Sequence, residues 1–221
     1  MKPVVLLSNI KYWDKPLYFG FLCLFTCALT FVSNSLLVTD DLILGFWSEH
    51  VSYERATEML DLNRRWSWVS YAIIPVYYLL KMFLVSVCIY TGIVLADIDV
   101  SFRKVFQVTL FAEAIFLVPV AIKLVWFGWV QTEYTLLDVQ SFYPFSLLNL
   151  FDRNALDSWL IYPMQAINMF EMIYFLLLAY GLYLVTKRSY SKMLGLALYT
   201  YGTGLFIWIV SVMFIVVTLT G

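Results

Sequence analysis

The stretch LFAEAIFLVPVAIKLVW, residues 110–126, is apolar enough to cross a lipid bilayer, yet it carries Glu113, Pro119 and Lys123. A charged side chain at the centre of a membrane helix costs roughly 2.5–3.5 kcal/mol on insertion. Glu113 and Lys123 are about 15 Å apart along a straight helix, so they cannot neutralise each other. The stretch therefore predicts a membrane bundle in which each charge has its own neighbours on either side of a proline kink.

The composition of the whole chain is that of a membrane protein. Of its 221 residues, 62% are hydrophobic and 13% are charged, against about 45–50% and about 25% in soluble domains. The net charge of −1 and the lack of a long basic tract argue against a nucleic-acid partner. We therefore expect one integral membrane domain over residues 1–221, with membrane lipids among its partners.

Apolar runs long enough to span a bilayer recur five times along the chain. The predicted fold is all-α: a polytopic bundle of five transmembrane helices. The predicted spans are 17–38, 67–96, 105–130, 158–186 and 196–220, and the two predicted outer loops are 39–66 and 131–157.

Basic residues predict the orientation, because Lys and Arg concentrate in cytoplasmic loops. The N-terminal arm, the turn after the second span and the turn after the fourth span share one side and are more basic than the outer loops. The basic residues on that side are Lys2, Lys11, Lys15, Arg103, Lys104, Lys187, Arg188 and Lys192; those on the other are Arg55, Arg64, Arg65 and Arg153. The N-terminus is predicted to be cytoplasmic and the C-terminus extracytoplasmic.

The two outer loops are predicted to be ordered. The segment SEHVSYERATEMLDL, residues 48–62, is predicted to form a short amphipathic helix with Ser48 as its N-cap. His50, Glu54 and Glu58 lie four residues apart on it, but one histidine is too few for a typical zinc site. Residues 131–157 are rich in Tyr, Phe and Leu, which predicts that they cover the bundle or lie on the membrane surface.

Motifs that would indicate an enzyme are missing from the sequence. It contains no P-loop, GxSxG, HExxH or CxxC pattern. We expect no catalytic residues, no cofactor and no metal.

Ionisable and amide side chains within the spans form the candidate site. Lys81 and Glu171 are predicted to pair at mid-depth on the second and fourth spans, with Glu113 as a second possible partner of Lys81. Tyr77 and Tyr78, one turn before Lys81, are candidates to join them. The set is Lys81, Glu113, Lys123, Gln165, Asn168 and Glu171, the last three forming a polar stripe on the fourth span.

Two interpretations of this set remain open. The favoured one is structural, with paired charges and amides fixing how the helices pack. The alternative is a proton or solute path, which intramembrane charges often mark. The structural interpretation predicts that Lys81→Met impairs accumulation and that Glu171→Met, added to it, restores much of it.

From the end of the second span onward, the chain resembles the Ypt-interacting-protein (Yip-type) membrane family. The resemblance is carried by DIDVSFRKVFQVTLFAEAIFLVP (97–119), FSLLNLF (145–151) and AYGLYLVTKRSYSKMLGLALY (179–199). It implies five spans with the orientation given above. Eukaryotic relatives act in vesicle trafficking and contact Rab GTPases through a long N-terminal region, whereas here about 16 residues precede the first span.

The resemblance therefore favours a prokaryotic member, for which the family provides no settled activity, in the bacterial inner (cytoplasmic) membrane. The expected function is that of a non-enzymatic assembly, accessory or trafficking-type interaction subunit. Its expected partner is itself or another membrane protein. The alternative is a small transporter or a proton- or ion-conducting component that uses the intramembrane charges.

Overall fold

A computed structural model of the chain describes residues 15–48, 51–152 and 156–220. Lys2, Lys11, His50 and Arg153, which entered the predictions above, lie outside these residues. Within them the structure has nine α-helices and no β-strand: α1 (Lys15–Leu37), α2 (Asp40–Ser48), α3 (Tyr53–Leu95), α4 (Phe102–Ala112), α5 (Leu117–Val125), α6 (Leu136–Ser141), α7 (Ser158–Ala166), α8 (Met169–Thr186) and α9 (Tyr190–Thr220).

Five helical segments are long and apolar enough to cross a membrane, which confirms the predicted number of spans. They are Lys15–Leu37, Tyr53–Leu95, Phe102–Val130, Met169–Thr186 and Tyr190–Leu219. The orientation of the termini stays a prediction from charge.

The second span is part of one continuous helix that is much longer than a bilayer requires. α3 has 43 residues and begins at Tyr53. Its first turns contain good helix formers and neither Gly nor Pro, so nothing ends the helix before it enters the apolar run. The prediction of a separate helix capped by Ser48 is therefore wrong, since Ser48 is the last residue of α2. An ion pair between Arg64 and Asp40 fastens α2 to α3.

The third span is a helix whose winding changes at its proline. Residues Glu113–Phe116 form a 3₁₀ turn between α4 and α5, in which the N–H of Leu117 bonds to the carbonyl of Ala114. Pro119 follows in the first turn of α5. Because Pro119 has no N–H and its ring crowds the carbonyl four residues earlier, the preceding turn winds more tightly.

The fourth span predicted over 158–186 is divided into two helices, so the prediction of one continuous helix there is wrong. α7 ends at Ala166 and α8 begins at Met169. Between them, the carbonyl of Ile167 accepts from the N–H of Leu147 at 2.9 Å, and the N–H of Met169 donates to the carbonyl of Phe145 at 3.1 Å. The interrupted backbone thus keeps its hydrogen bonds through a short antiparallel bridge to the outer segment.

Residues 131–152 cover one end of the bundle, in agreement with one of the two predictions for this segment. α6 is held by a capping box between Thr135 and Asp138. Val139 is buried against Phe127 and against Leu37 at the end of α1. The segment is therefore packed onto the ends of the first and third spans.

Two helical hairpins, α3/α4 and α8/α9, form the centre of the molecule. The main apolar cluster contains Val85, Ile89, Ile93, Val105, Val108, Tyr174, Leu178, Leu182 and Tyr201. A Cβ atom on Gly92 of α3 would overlap a methyl carbon of Thr200 on α9. A Cβ atom on Gly181 would similarly lie 2.5 Å from Val108 of α4. Both glycines permit helix contacts that no larger residue allows.

Candidate functional site

A buried ion pair joins α3 to the first residue of the 3₁₀ turn that follows α4. The ammonium of Lys81 donates to Oε2 of Glu113 at 2.9 Å, and the hydroxyl of Tyr174 donates to Oε1 of the same carboxylate at 2.9 Å. The Glu113 side chain is 0% exposed and that of Lys81 is 21% exposed. The Lys81 nitrogen also lies 3.5 Å from the ring centroid of Phe116, a cation–π contact. Glu113 is therefore neutralised and hydrogen-bonded at both oxygens.

The register of the hairpin determines this pairing. One helical turn nearer the α3–α4 connection, the hydroxyls of Ser86 and Thr109 bond to each other at 2.8 Å. Lys81 is five residues before Ser86 in α3, and Glu113 is four residues after Thr109, just past the end of α4. The same register therefore places Lys81 opposite Glu113. The favoured prediction, a Lys81–Glu171 ion pair, is wrong, and the second candidate, Glu113, is the partner.

Glu171 has a different contact, within the α8/α9 hairpin. The hydroxyl of Tyr201 donates to its Oε1 at 2.5 Å. The rings of Tyr201 and Tyr174 meet edge to face, with centroids 5.5 Å apart. Since Tyr174 also donates to Glu113, the two hairpins are connected through one polar and aromatic cluster.

The polar stripe predicted on the fourth span does not form. Gln165 is in α7, Asn168 lies between the helices and Glu171 is in the first turn of α8. The amide of Asn168 donates to the carbonyls of Gln165 and Ala166, at 3.0 and 3.2 Å, while its oxygen accepts the N–H of Glu171 at 2.9 Å. Asn168 therefore caps α8 and holds the interruption in place.

The tyrosines before Lys81 are not part of the ion-pair cluster. Tyr78 exchanges a hydrogen bond of 3.0 Å with Thr26, which attaches α1 to α3. Tyr77 is 57% exposed. The prediction that Tyr77 and Tyr78 join Lys81 in one network is wrong, because no described hydrogen bond connects either hydroxyl to Lys81 or Glu113.

Lys123 is separate from the cluster. It lines a cavity of about 290 Å³ between α5, the 140–144 segment and the start of α8. Its lining residues are Phe116, Pro119, Val120, Lys123, Gln140, Phe142, Tyr143, Pro144, Asn168 and Phe170. Phe116, which contacts the Lys81 ammonium, also lines this cavity, whereas Lys81 does not line it.

Three contributors to the cluster were missed in the sequence: Phe116, Tyr174 and Tyr201. No local pattern distinguishes them from the chain's other aromatic residues. The interruption did have a signal, since Asn168 followed three residues later by Glu171 is a helix-start pattern.

The polar groups of the cluster are paired within the chain. Among the described residues, no buried side-chain nitrogen or oxygen lacks a hydrogen-bond partner. The described ranges also contain no group of three His, Cys, Asp or Glu side chains placed to hold a metal ion. The arrangement neutralises charge and joins helices.

No protein-family model, curated protein or solved structure matches this chain. The resemblance to the Yip-type family accordingly depends on the quoted motifs alone.

Proposed function

We propose that this chain is a non-enzymatic, multi-span membrane protein that acts as an assembly or accessory subunit. The observation that supports this most directly is the closed ion-pair cluster. Lys81, Glu113 and Glu171 each make a polar contact within the chain, which supports a role for their charges in packing. Activity would then reside in the outer surface of the bundle.

That outer surface is apolar along much of α9. From Gly202 to Leu219, no side chain of α9 is buried within the chain. Phe206, Trp208 and Phe214 are 66%, 56% and 72% exposed. Such a face contacts lipid tails, another membrane protein or a second copy of the chain. We propose a protein partner, in a bacterial inner membrane, with the N-terminus in the cytoplasm.

The test is photo-cross-linking in intact membranes, followed by purification in mild detergent. A photoreactive amino acid at Phe214 is expected to yield one discrete cross-linked product, and the partner should co-purify in fixed stoichiometry. The matched control is the same amino acid at Ile73, an exposed position on α3. A pure monomer without a discrete product at Phe214 would contradict the proposal.

A second candidate function, solute or proton transport, is favoured by one observation. The interrupted fourth span lies beside the Lys123 cavity, and interrupted helices often form the binding sites of transporters. Proton flux into liposomes that contain the purified protein, abolished by Glu171→Gln, would support this function over the first.

A further inference from the structure

Lys123 is a half-buried cation whose counter-charge is not supplied by the part of the chain that the structure describes. The ion pairs in the described ranges are Arg55–Glu58, Arg64–Asp40 and Lys81–Glu113. None of the described hydrogen bonds uses the Lys123 ammonium either. Because partial burial removes water from the ammonium, an anion at this position would stabilise it.

The cavity beside Lys123 offers further hydrogen-bond donors. The amide of Gln140 and the hydroxyl of Tyr143 line it, and neither side chain makes a hydrogen bond with another described residue. Asn168 also lines the cavity, but its amide is fully used in capping α8. The available chemistry is one positive charge with two neutral donors, which suits a phosphate oxygen.

The depth of the cavity corresponds to the headgroup region of a bilayer. Trp126 and Trp129 follow Lys123 on the same span, and tryptophans of this kind mark the membrane–water interface. Trp126 lies three residues after Lys123, which corresponds to about 4.5 Å along the helix axis. Lys123 is therefore just inside the interface, at the level of lipid phosphate and glycerol groups.

The surroundings favour a lipid over a free anion. The cavity has a volume of about 290 Å³, more than one phosphate group fills. Its walls include Pro119, Val120 and Phe142. Beside it on the same span, Val118, Val125 and Trp129 are exposed. A lipid can enter sideways from the bilayer and lay its chains on this surface.

We propose that the cavity binds the phosphate of an anionic membrane lipid. Lys123 provides the counter-charge, and Gln140 and Tyr143 donate hydrogen bonds to the phosphate oxygens. The site uses neither Lys81 nor Glu113, although Phe116 contacts Lys81 and also lines the cavity.

The experiment uses the full chain reconstituted in phosphatidylcholine vesicles that contain a minor fraction of phosphatidylglycerol. After gentle extraction, native mass spectrometry measures the ratio of the two lipids that remain bound. The unmodified protein is expected to enrich phosphatidylglycerol about tenfold, the effect of one charge-assisted hydrogen bond. Lys123→Gln should reduce the bound ratio to that of the vesicles, while Lys123→Arg should retain the enrichment.

Two further variants complete the experiment: the first controls for general charge and the second tests one of the proposed donors. Lys192→Gln removes an exposed lysine from the start of α9 and should leave the enrichment unchanged. Tyr143→Phe removes one donor from a surface segment and should lower the enrichment about threefold, a fraction of a neutral hydrogen bond. Enrichment that is unchanged in both Lys123→Gln and Tyr143→Phe would overturn the proposal.

A parallel arm separates lipid from free phosphate. Inorganic phosphate at millimolar concentration, added before extraction, is expected to leave the bound phosphatidylglycerol in place. Complete displacement of the lipid by inorganic phosphate would show that the cavity takes a soluble anion, and it would overturn the assignment to a lipid.

Discussion

Removing one partner of the Lys81–Glu113 ion pair should destabilise the protein. Removing both charges together should cost much less stability than the two single changes added together. Breaking a buried ion pair by deleting one partner costs about 3–5 kcal/mol, because the other charge is left uncompensated. Lys81→Met leaves the carboxylate of Glu113, which is 0% exposed, so we expect about 3 kcal/mol. Glu113→Gln leaves an ammonium that is 21% exposed, and we expect a smaller loss of about 2 kcal/mol.

The double variant Lys81→Met/Glu113→Gln has no stranded charge. The new amide side chain would still present a carbonyl oxygen to the hydroxyl of Tyr174, so we expect a total loss of only about 1–2 kcal/mol. The coupling energy of the pair is then about 3–4 kcal/mol in the stabilising direction. The matched control is Lys81→Met/Glu171→Gln, which should show no such rescue because Glu171 bonds to Tyr201.

The measurement is reversible unfolding in mixed detergent micelles containing increasing dodecyl sulfate, with the free energy of unfolding determined for each variant. Accumulation in the membrane gives a second readout in the same order. Rescue of Lys81→Met by the Glu171 change and not by the Glu113 change would refute the hairpin pairing. A Lys81→Met variant as stable as the unmodified protein would refute the energetic role of the pair.

Three further predictions use the same unfolding measurement. Gly92→Ala places a Cβ atom against Thr200 and should lower the free energy of unfolding by about 1–3 kcal/mol. Its control, Gly195→Ala, has nothing within 4 Å of the added Cβ atom and should stabilise α9 by about 0.5–1 kcal/mol. Equal effects of the two changes would contradict the close contact. Asn168→Ala should lower the free energy of unfolding by about 1–2 kcal/mol, because α8 loses its cap. Asn168→Asp keeps the accepting oxygen and should cost less. A larger loss of stability in the Asp variant would contradict capping as the main role of Asn168. Tyr174→Phe removes a hydrogen bond to a buried carboxylate and should lower the free energy of unfolding by about 1.5–3 kcal/mol. Tyr183→Phe, at an exposed position of the same helix, should cost less. Similar losses of stability in the two variants would contradict the contact between Tyr174 and Glu113.

The number of spans could be predicted because hydropathy depends only on composition along the chain. The partner of Lys81 could not be predicted from depth, since Glu171 and Lys81 both lie about 21–23 Å along their helices from the ends at Thr186 and Leu95. Glu113 is the partner because the segment that carries it packs beside α3 at the position of Lys81. The short connection between α3 and α4 carried that information, because consecutive helices joined by few residues pack side by side.

The interruption of the fourth span shows a different limit. A hydropathy window cannot separate a continuous helix from two helices in line, since Ile167 and Met169 are as apolar as their neighbours. The deciding contacts are long-range, from the backbone of Phe145 and Leu147. Only the capping pattern at Asn168 and Glu171 is local, and the same two residues also fit a polar stripe on a continuous helix.

The pairing of Lys81 with Glu113 affects how the protein is made. Both residues lie on consecutive helices, so both have left the ribosome before Glu171 and Tyr174 are synthesised. The α3/α4 hairpin can then enter the bilayer as an electrically neutral unit, which avoids an insertion cost of roughly 2.5–3.5 kcal/mol for each isolated charge. A Lys81–Glu171 pair would have left the lysine unmatched until the last third of the chain emerged. The hydroxyl of Tyr174 arrives later and attaches the second hairpin to a first one that is already neutral.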